Sequence, residues 1–104
     1  FCPYGPSIVT LNEIEDPHNL DLSLSVNGKI RQESNTSNLI FKIPELISYL
    51  SRGITLLPGD LIATGTPFGV ALGMKEPVWL KDGDVCEAQV SGIGTLRNTI
   101  REQQ

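Results

Sequence analysis

The stretch from Leu20 to Gly28 constrains the fold most. Leu20, Leu22, Leu24 and Val26 alternate with Asp21, Ser23 and Ser25, and Asn27-Gly28 follows at once. A period of two is the period of a pleated strand, so one face is buried and the other is polar. Asn-Gly tolerates the positive φ values of a type I′ turn, whose twist matches that of the strands it joins. Residues 29–32 then lead away as the second arm of a β-hairpin. An isolated hairpin is marginal in water, so this one needs more strands and a covering layer.

Turn signals cut the rest of the chain into short pieces. Pro3, Gly5 and Pro6 make an irregular opening, and residues 7–10 are expected as a short strand. Asp16-Pro17 marks a loop, because the residue before proline is pushed away from helix. Residues 33–38 read as a polar loop and residues 39–41 as another short strand. Ile43, Leu46, Ile47 and Leu50 fall at i, i+3, i+4 and i+7, one apolar stripe of a helix. Pro44 suits its first turn, Glu45 and Arg52 complement its dipole, and Gly53 is placed to end it. Residues 61–64 are expected as a buried strand entered through Pro58-Gly59-Asp60. Asp82-Gly83-Asp84 is a tight turn, with 85–90 and 94–98 as an antiparallel pair around Gly92. The polar residues 101–104 are expected to fray. The fold class is therefore α+β, mainly β, with one short helix.

A chain of 104 residues offers these strands no obvious second layer. An upstream segment or a second subunit is expected to cover them; the start at Phe1 rather than Met fits processing as well as an incomplete chain. The net charge of −4 and the absence of any Lys/Arg cluster argue against a nucleic-acid surface and against polybasic membrane anchoring. No run approaches the ~20 apolar residues of a membrane span, and no secretory pattern opens the chain. Cys2 and Cys86 lack zinc or redox spacing and are expected as free thiols in a reducing compartment, cytoplasmic or alternatively mitochondrial.

Three segments taken in order resemble the fumarylacetoacetate hydrolase family. The first is Phe1-Cys2-Pro3-Tyr4-Gly5-Pro6, with Ile8-Val9-Thr10 and Asp16-Pro17-His18-Asn19-Leu20. The second is Val26-Asn27-Gly28, Arg31-Gln32, Ser34-Asn35-Thr36 and Ile40-Phe41. The third runs from Pro58-Gly59-Asp60 through Thr64-Gly65-Thr66-Pro67 to Gly69-Val70. The resemblance covers residues 1 to about 99 and is similar to the C-terminal part of that family's single catalytic domain, so residues 1–104 are expected as that part. It implies a β-rich roll, a homodimer, and a Mg²⁺- or Mn²⁺-dependent enzyme acting on small 2-oxo acids. Such enzymes hydrolyse acylpyruvate C–C bonds, or decarboxylate or tautomerise oxaloacetate-like acids. Negative charge then develops on an enolate or gem-diolate beside a carboxylate, and a divalent cation stabilises it. The resemblance also implies that the three metal carboxylates, a substrate-side lysine and a histidine-glutamate pair for proton transfer all lie upstream of Phe1. No metal ligand is therefore expected in this chain.

Thr66 is the leading candidate for substrate contact. A strand ending in Thr64-Gly65-Thr66 brings hydroxyls and backbone N–H groups to one edge, and a threonine hydroxyl can donate to a carboxylate. Gly65 has no Cβ, so a ligand could approach the backbone there. The resemblance points the same way, since the family's Gly-Thr-Pro threonine contacts substrate. Thr64 is a neighbour of the site if it shares a face with Thr66, while Gly65 and Gly69 are expected chiefly to shape the loop. Glu13, Glu15, Asp16 and His18 mimic a metal cluster, but a solvated acidic turn with a locally bonded histidine is the plainer reading. Arg31 could pair with a substrate carboxylate, although fixing the polar loop suits it better. Trp79 is expected in a core or interface. Tyr4, Cys2 and Cys86 carry no specific chemistry. Against the enzyme stand two alternatives: a catalytically incomplete fragment or binding module, and a plain structural domain.

Overall fold

A computed structural model describes residues 2–103, so the Phe1 of the opening motif and Gln104 lie outside the described residues. Four antiparallel strands form one sheet: β1 (Asp21–Val26), β2 (Lys29–Asn35), β3 (Val85–Val90) and β4 (Gly94–Thr99), in the order β2-β1-β3-β4. One helix, α1 (Ile43–Leu50), and short 3₁₀ turns at Leu11–Glu13, Thr36–Asn38 and Ala71–Gly73 complete the elements. The class is mainly β with a single helix, as the sequence implied.

The β1–β2 hairpin turns at Asn27-Gly28, with φ of 52° and 76° at the two central residues. Both lie in the left-handed region that a type I′ turn requires. Asn27 also ties this turn to the next strand pair. Its amide donates to Asp84 Oδ1 at 2.8 Å, and its Oδ1 accepts from the Val85 N–H at 2.9 Å. The backbone N–H of Asn27 donates to the Val85 carbonyl at 2.9 Å. One residue therefore sets both the hairpin and the point where β3 joins β1.

The register gives the sheet two distinct faces. Leu22, Leu24 and Val26 of β1 lie opposite Val90, Ala88 and Cys86 of β3, and Ala88 lies opposite Leu96 of β4. This is the apolar face. Ser23, Ser25, Glu87, Gln89 and Arg97 take the other face, where the cross-strand pair Glu87 and Arg97 approaches to 3.4 Å. A bulge interrupts the β1–β2 ladder. Ser25 pairs with Ile30 but Leu24 pairs with Gln32, which leaves Arg31 as the extra residue.

Helix α1 begins where expected but ends at Leu50, short of Arg52, and the Lys42 N–H donates to the Glu45 carboxylate at 2.9 Å across its first turn. Ile43, Leu46 and Leu50 are half-buried, but Ile47 is exposed. Gly53 closes the turn beyond Leu50 without a left-handed φ.

Four expectations need correction. Residues 7–10, 39–41 and 61–64 are not strands. A strand exists only where its N–H and C=O groups find a ladder partner; among the described residues these segments have none. Leu61 and Ile62 are exposed rather than buried. The polar loop expected from Glu33 is shorter, because β2 continues to Asn35. The tail is partly held: the Glu102 N–H donates to Asp82 Oδ1 at 2.8 Å, and Arg101 reaches Asp82 at 3.7 Å. Trp79 sits in no core and is exposed.

Burial is thin throughout. Among the described residues no apolar side chain is fully buried, and Gln32 alone falls in the buried class. The chain exposes 8567 Å², against roughly 5,700 Å² for a folded monomer of this mass. Its radius of gyration is 15.4 Å, where about 13 Å is usual for this length. The apolar face of the sheet and the loops around it are therefore surfaces without a cover.

The Asn27 clamp makes a pH prediction. The Asn27 amide first, and then the Lys81 N–H, hold the Asp84 carboxyl below the usual carboxylate range. A depressed folded-state value stabilises the fold above the unfolded aspartate range, near pH ~4, and that contribution fades as pH falls through the folded value. Urea denaturation of the full-length protein across the acid range is expected to show this limb, and Asn27→Ala is expected to flatten it.

Candidate functional site

Residues 64–68, within the segment from Leu57 to Val70, line one wall of a groove. The segment starts with a tight turn: the Asp60 N–H donates to the Leu57 carbonyl at 3.1 Å, and Asp60 Oδ2 accepts from the Leu57 N–H at 2.7 Å. Pro58 and Gly59 occupy its centre, and Gly59 has φ of 97°, the arrangement of a type II turn. The chain then runs without regular secondary structure through Thr64 to Gly65, where φ is 107°. Only glycine takes that conformation cheaply. A Cβ on Gly65 would meet nothing within 4 Å, so the backbone here stands open to an incoming group.

Two contacts fix this wall to β2. The Gln32 Nε2 donates to Thr66 Oγ1 at 2.9 Å, to the Pro67 carbonyl at 2.9 Å and to the Phe68 carbonyl at 3.3 Å. Gly69, with φ of 102°, passes so close to the Arg31 carbonyl that a built Cβ would overlap it. The bulge at Arg31 makes both contacts possible. Without it, Arg31 rather than Gln32 would stand opposite Leu24.

The groove holds about 540 Å³. Thr64, Gly65, Thr66, Pro67 and Phe68 line one side, and Ser34, Asn35 and Thr36 face them from the end of β2. Leu39, Ile40, Phe41 and Leu46 of α1 close an apolar end. The three residues singled out in the sequence, Thr64, Gly65 and Thr66, thus share one surface. Their polar neighbours are already committed. Asn35 accepts from the Ser37 N–H and donates to Asp21, each at 2.8 Å. Thr36 Oγ1 accepts from the Leu20 N–H at 2.9 Å. Among the described residues, the Thr64 hydroxyl and the N–H groups of Gly65 and Thr66 have no such partner. These unpaired donors belong to residues that line the groove, and a carboxylate is the ligand chemistry such donors suit.

Among the described residues, no ionisable side chain lines this groove. Among the described residues, no group of three or more His, Cys, Asp and Glu converges as a cation site. The residues present do not fit a divalent metal, whose ligands here would be carboxylate or imidazole. The acidic turn is a local scaffold: Asp16 Oδ1 accepts from the His18 N–H at 2.8 Å. His18 reaches further than expected, since its Nε2 accepts from the Ile43 N–H at the start of α1 at 3.2 Å. Arg31 does not line the groove. Cys2 and Cys86 are free thiols, and burial pushes the Cys86 thiol up. Sequence reasoning missed Gln32 as the organiser of the site. Its signal was a polar residue within a hairpin arm, but the bulge that turns it to the apolar face left no mark in the hydrophobic pattern.

Comparison with known proteins follows the same outline. The family described as fumarylacetoacetate (FAA) hydrolase, C-terminal, matches residues 1–101. A Rattus norvegicus protein named a mitochondrial oxaloacetate tautomerase is 47% identical over 100 residues, covering 96% of this chain and 32% of that protein. A 2,4-didehydro-3-deoxy-L-rhamnonate hydrolase of a Sphingomonas species is 50% identical over 103 residues, covering 98% of this chain and 36% of its own length. The crystal structure of maleylpyruvate hydrolase from Sphingobium sp. SYK-6, in complex with manganese(II) and pyruvate, superimposes with a TM-score of 0.89 at 41% identity. It covers 100% of this chain and 37% of that one. The chain thus spans about a third of the length of the relatives it matches.

The Gly69 contact is open to direct test. Gly69→Ala combines an unfavourable φ with a backbone overlap and is expected to destabilise the fold by about 3 kcal/mol or more. Gly65→Ala, strained but unobstructed, is expected to cost about 1–2 kcal/mol. Urea unfolding of both variants of the full-length protein measures the difference.

Proposed function

The chain belongs to the fumarylacetoacetate hydrolase family, matching its C-terminal part, and we propose that it forms the carboxylate-binding wall of an enzyme acting on small 2-oxo acids. The observation that carries this reading is the convergence of Thr64, Gly65 and Thr66 on one uncharged groove with free donors. A substrate carboxylate would lie against these donors, with the Thr66 hydroxyl donating to it. The rest of the substrate would extend toward Ile40, Phe41 and Phe68, which are apolar and exposed.

The reactions of the relatives by name, tautomerisation of oxaloacetate and hydrolysis of acidic sugars or maleylpyruvate, fit that placement. Each works on a small acid, and for each a fixed carboxylate orients the reacting carbon. Among the described residues the groove has no side chain that titrates, and by this reading the proton would be moved by groups outside it. A divalent cation, Mg²⁺ or Mn²⁺, would supply charge stabilisation in the completed site, and the manganese complex of the maleylpyruvate hydrolase supports that. By this reading its ligands, too, lie outside residues 1–104. An upstream segment, and in a homodimer a second subunit, would cover the exposed apolar surface. The vertebrate relatives named as mitochondrial favour that compartment over the cytoplasm, and two free thiols suit it.

A second reading, a ligand-binding module without catalysis, draws on the groove's lack of ionisable side chains. Calorimetry separates the two. Micromolar binding of oxalate with Mg²⁺ by residues 1–104 alone would favour the module, whereas binding by the full-length protein only supports the composite enzyme.

Thr66→Ala in the full-length protein, assayed for oxaloacetate tautomerisation and acylpyruvate hydrolysis, is expected to lower kcat/KM by about 1–3 kcal/mol of transition-state stabilisation. Thr66→Ser is expected to keep most of it. Unchanged kcat/KM in Thr66→Ala would remove Thr66 from the site.

A further inference from the structure

We propose that Gln32 is a positioning residue that sets the direction of the Thr66 hydroxyl proton; this rests on the reading that Thr66 contacts substrate. Gln32 is the least exposed residue described, at 9%. Its amide nitrogen faces three oxygens, Thr66 Oγ1, the Pro67 carbonyl and the Phe68 carbonyl. Two of those are carbonyls, which only accept, so the group between them must be the NH₂ end. Thr66 Oγ1 then spends a lone pair on Gln32, and its own proton must point elsewhere. The internal acceptor available is the Pro67 carbonyl at 3.5 Å, which is long and already accepts from Gln32. The proton is therefore free for an acceptor in the groove that Thr66 lines.

The same amide holds the loop. It spans from the Thr66 side chain to the Phe68 backbone, a stretch with no backbone ladder of its own among the described residues. Gln32 thus supplies at once the position of the Thr66 oxygen and the sense of its hydrogen bond. An acceptor in its place would reverse that sense and draw the Thr66 proton inward.

A double-mutant cycle in the full-length protein tests this. Gln32→Met keeps the length of the side chain and removes the N–H groups; it is expected to lower kcat/KM roughly fivefold to tenfold. In a Thr66→Ala background the same change is expected to cost clearly less, because the part of its effect that runs through the Thr66 hydroxyl is already lost and only the loop anchoring remains. Gln32→Glu adds a readout that a packing role would not move. Its carboxylate would face carbonyl oxygens in a half-buried site, which raises its pKa, and only the protonated form restores a donor. The variant's activity relative to wild type is expected to climb as pH falls through that value.

Equal losses from Gln32→Met in both backgrounds, or a flat ratio for Gln32→Glu, would overturn the proposal while leaving Thr66 as a substrate contact. Full activity in Thr66→Ala would overturn the underlying reading and this proposal with it. If Gln32→Met fails to fold, the pH dependence of Gln32→Glu decides alone.

Discussion

A carboxamide held beside two backbone carbonyls and a hydroxyl must turn its N–H groups toward them or bear the cost of leaving all four groups unpaired. Gln32 meets that condition, and the groove depends on it. Residues 64–68 have no ladder and no helix to hold them. What locates them is the Gln32 amide at one point and the close pass of Gly69 by the Arg31 carbonyl at another. Both anchors sit at the bulge in β2, so a single irregularity in an otherwise regular hairpin fixes one wall of the site. The hairpin is held in turn by Asn27, which bonds the start of β3.

The rest of the chain looks outward. A sheet with one apolar face, a short helix and long extended loops leave far more surface exposed than a finished domain of this size would. Ile40 at 89%, Leu72 at 82% and Phe68 at 80% exposure are side chains suited to contact with other polypeptide. That pattern accords with a chain matching about a third of its relatives' length. Among the described residues, the groove carries hydroxyl and backbone donors and no side chain that titrates.

Elements whose signals are local were legible in the sequence. The Asn27-Gly28 turn, the pair around Gly92 and the Ile43–Leu50 helix each follow from a few adjacent residues, and each was found where expected. Segments whose conformation depends on a distant partner were misread. Residues 61–64 have the apolar content of a strand but no strand to pair with. The candidates Thr64, Gly65 and Thr66 came from the family resemblance together with glycine and threonine chemistry, and all three line one groove. Gln32 was not, since its place across from Leu24 depends on a bulge that shifts the register by one. His18 illustrates the same limit: its bond to the helix start crosses 25 residues.

The central claim is that Thr66 and its neighbouring backbone hold a substrate carboxylate. A crystal structure of the full-length protein with Mg²⁺ or Mn²⁺ and oxalate, a stable stand-in for a 2-oxo acid enolate, tests it most directly. The account predicts an oxalate oxygen within about 3 Å of Thr66 Oγ1, with the Gln32 amide still donating to that hydroxyl. Ordered oxalate bound elsewhere, with Thr66 facing only solvent or protein, would contradict it.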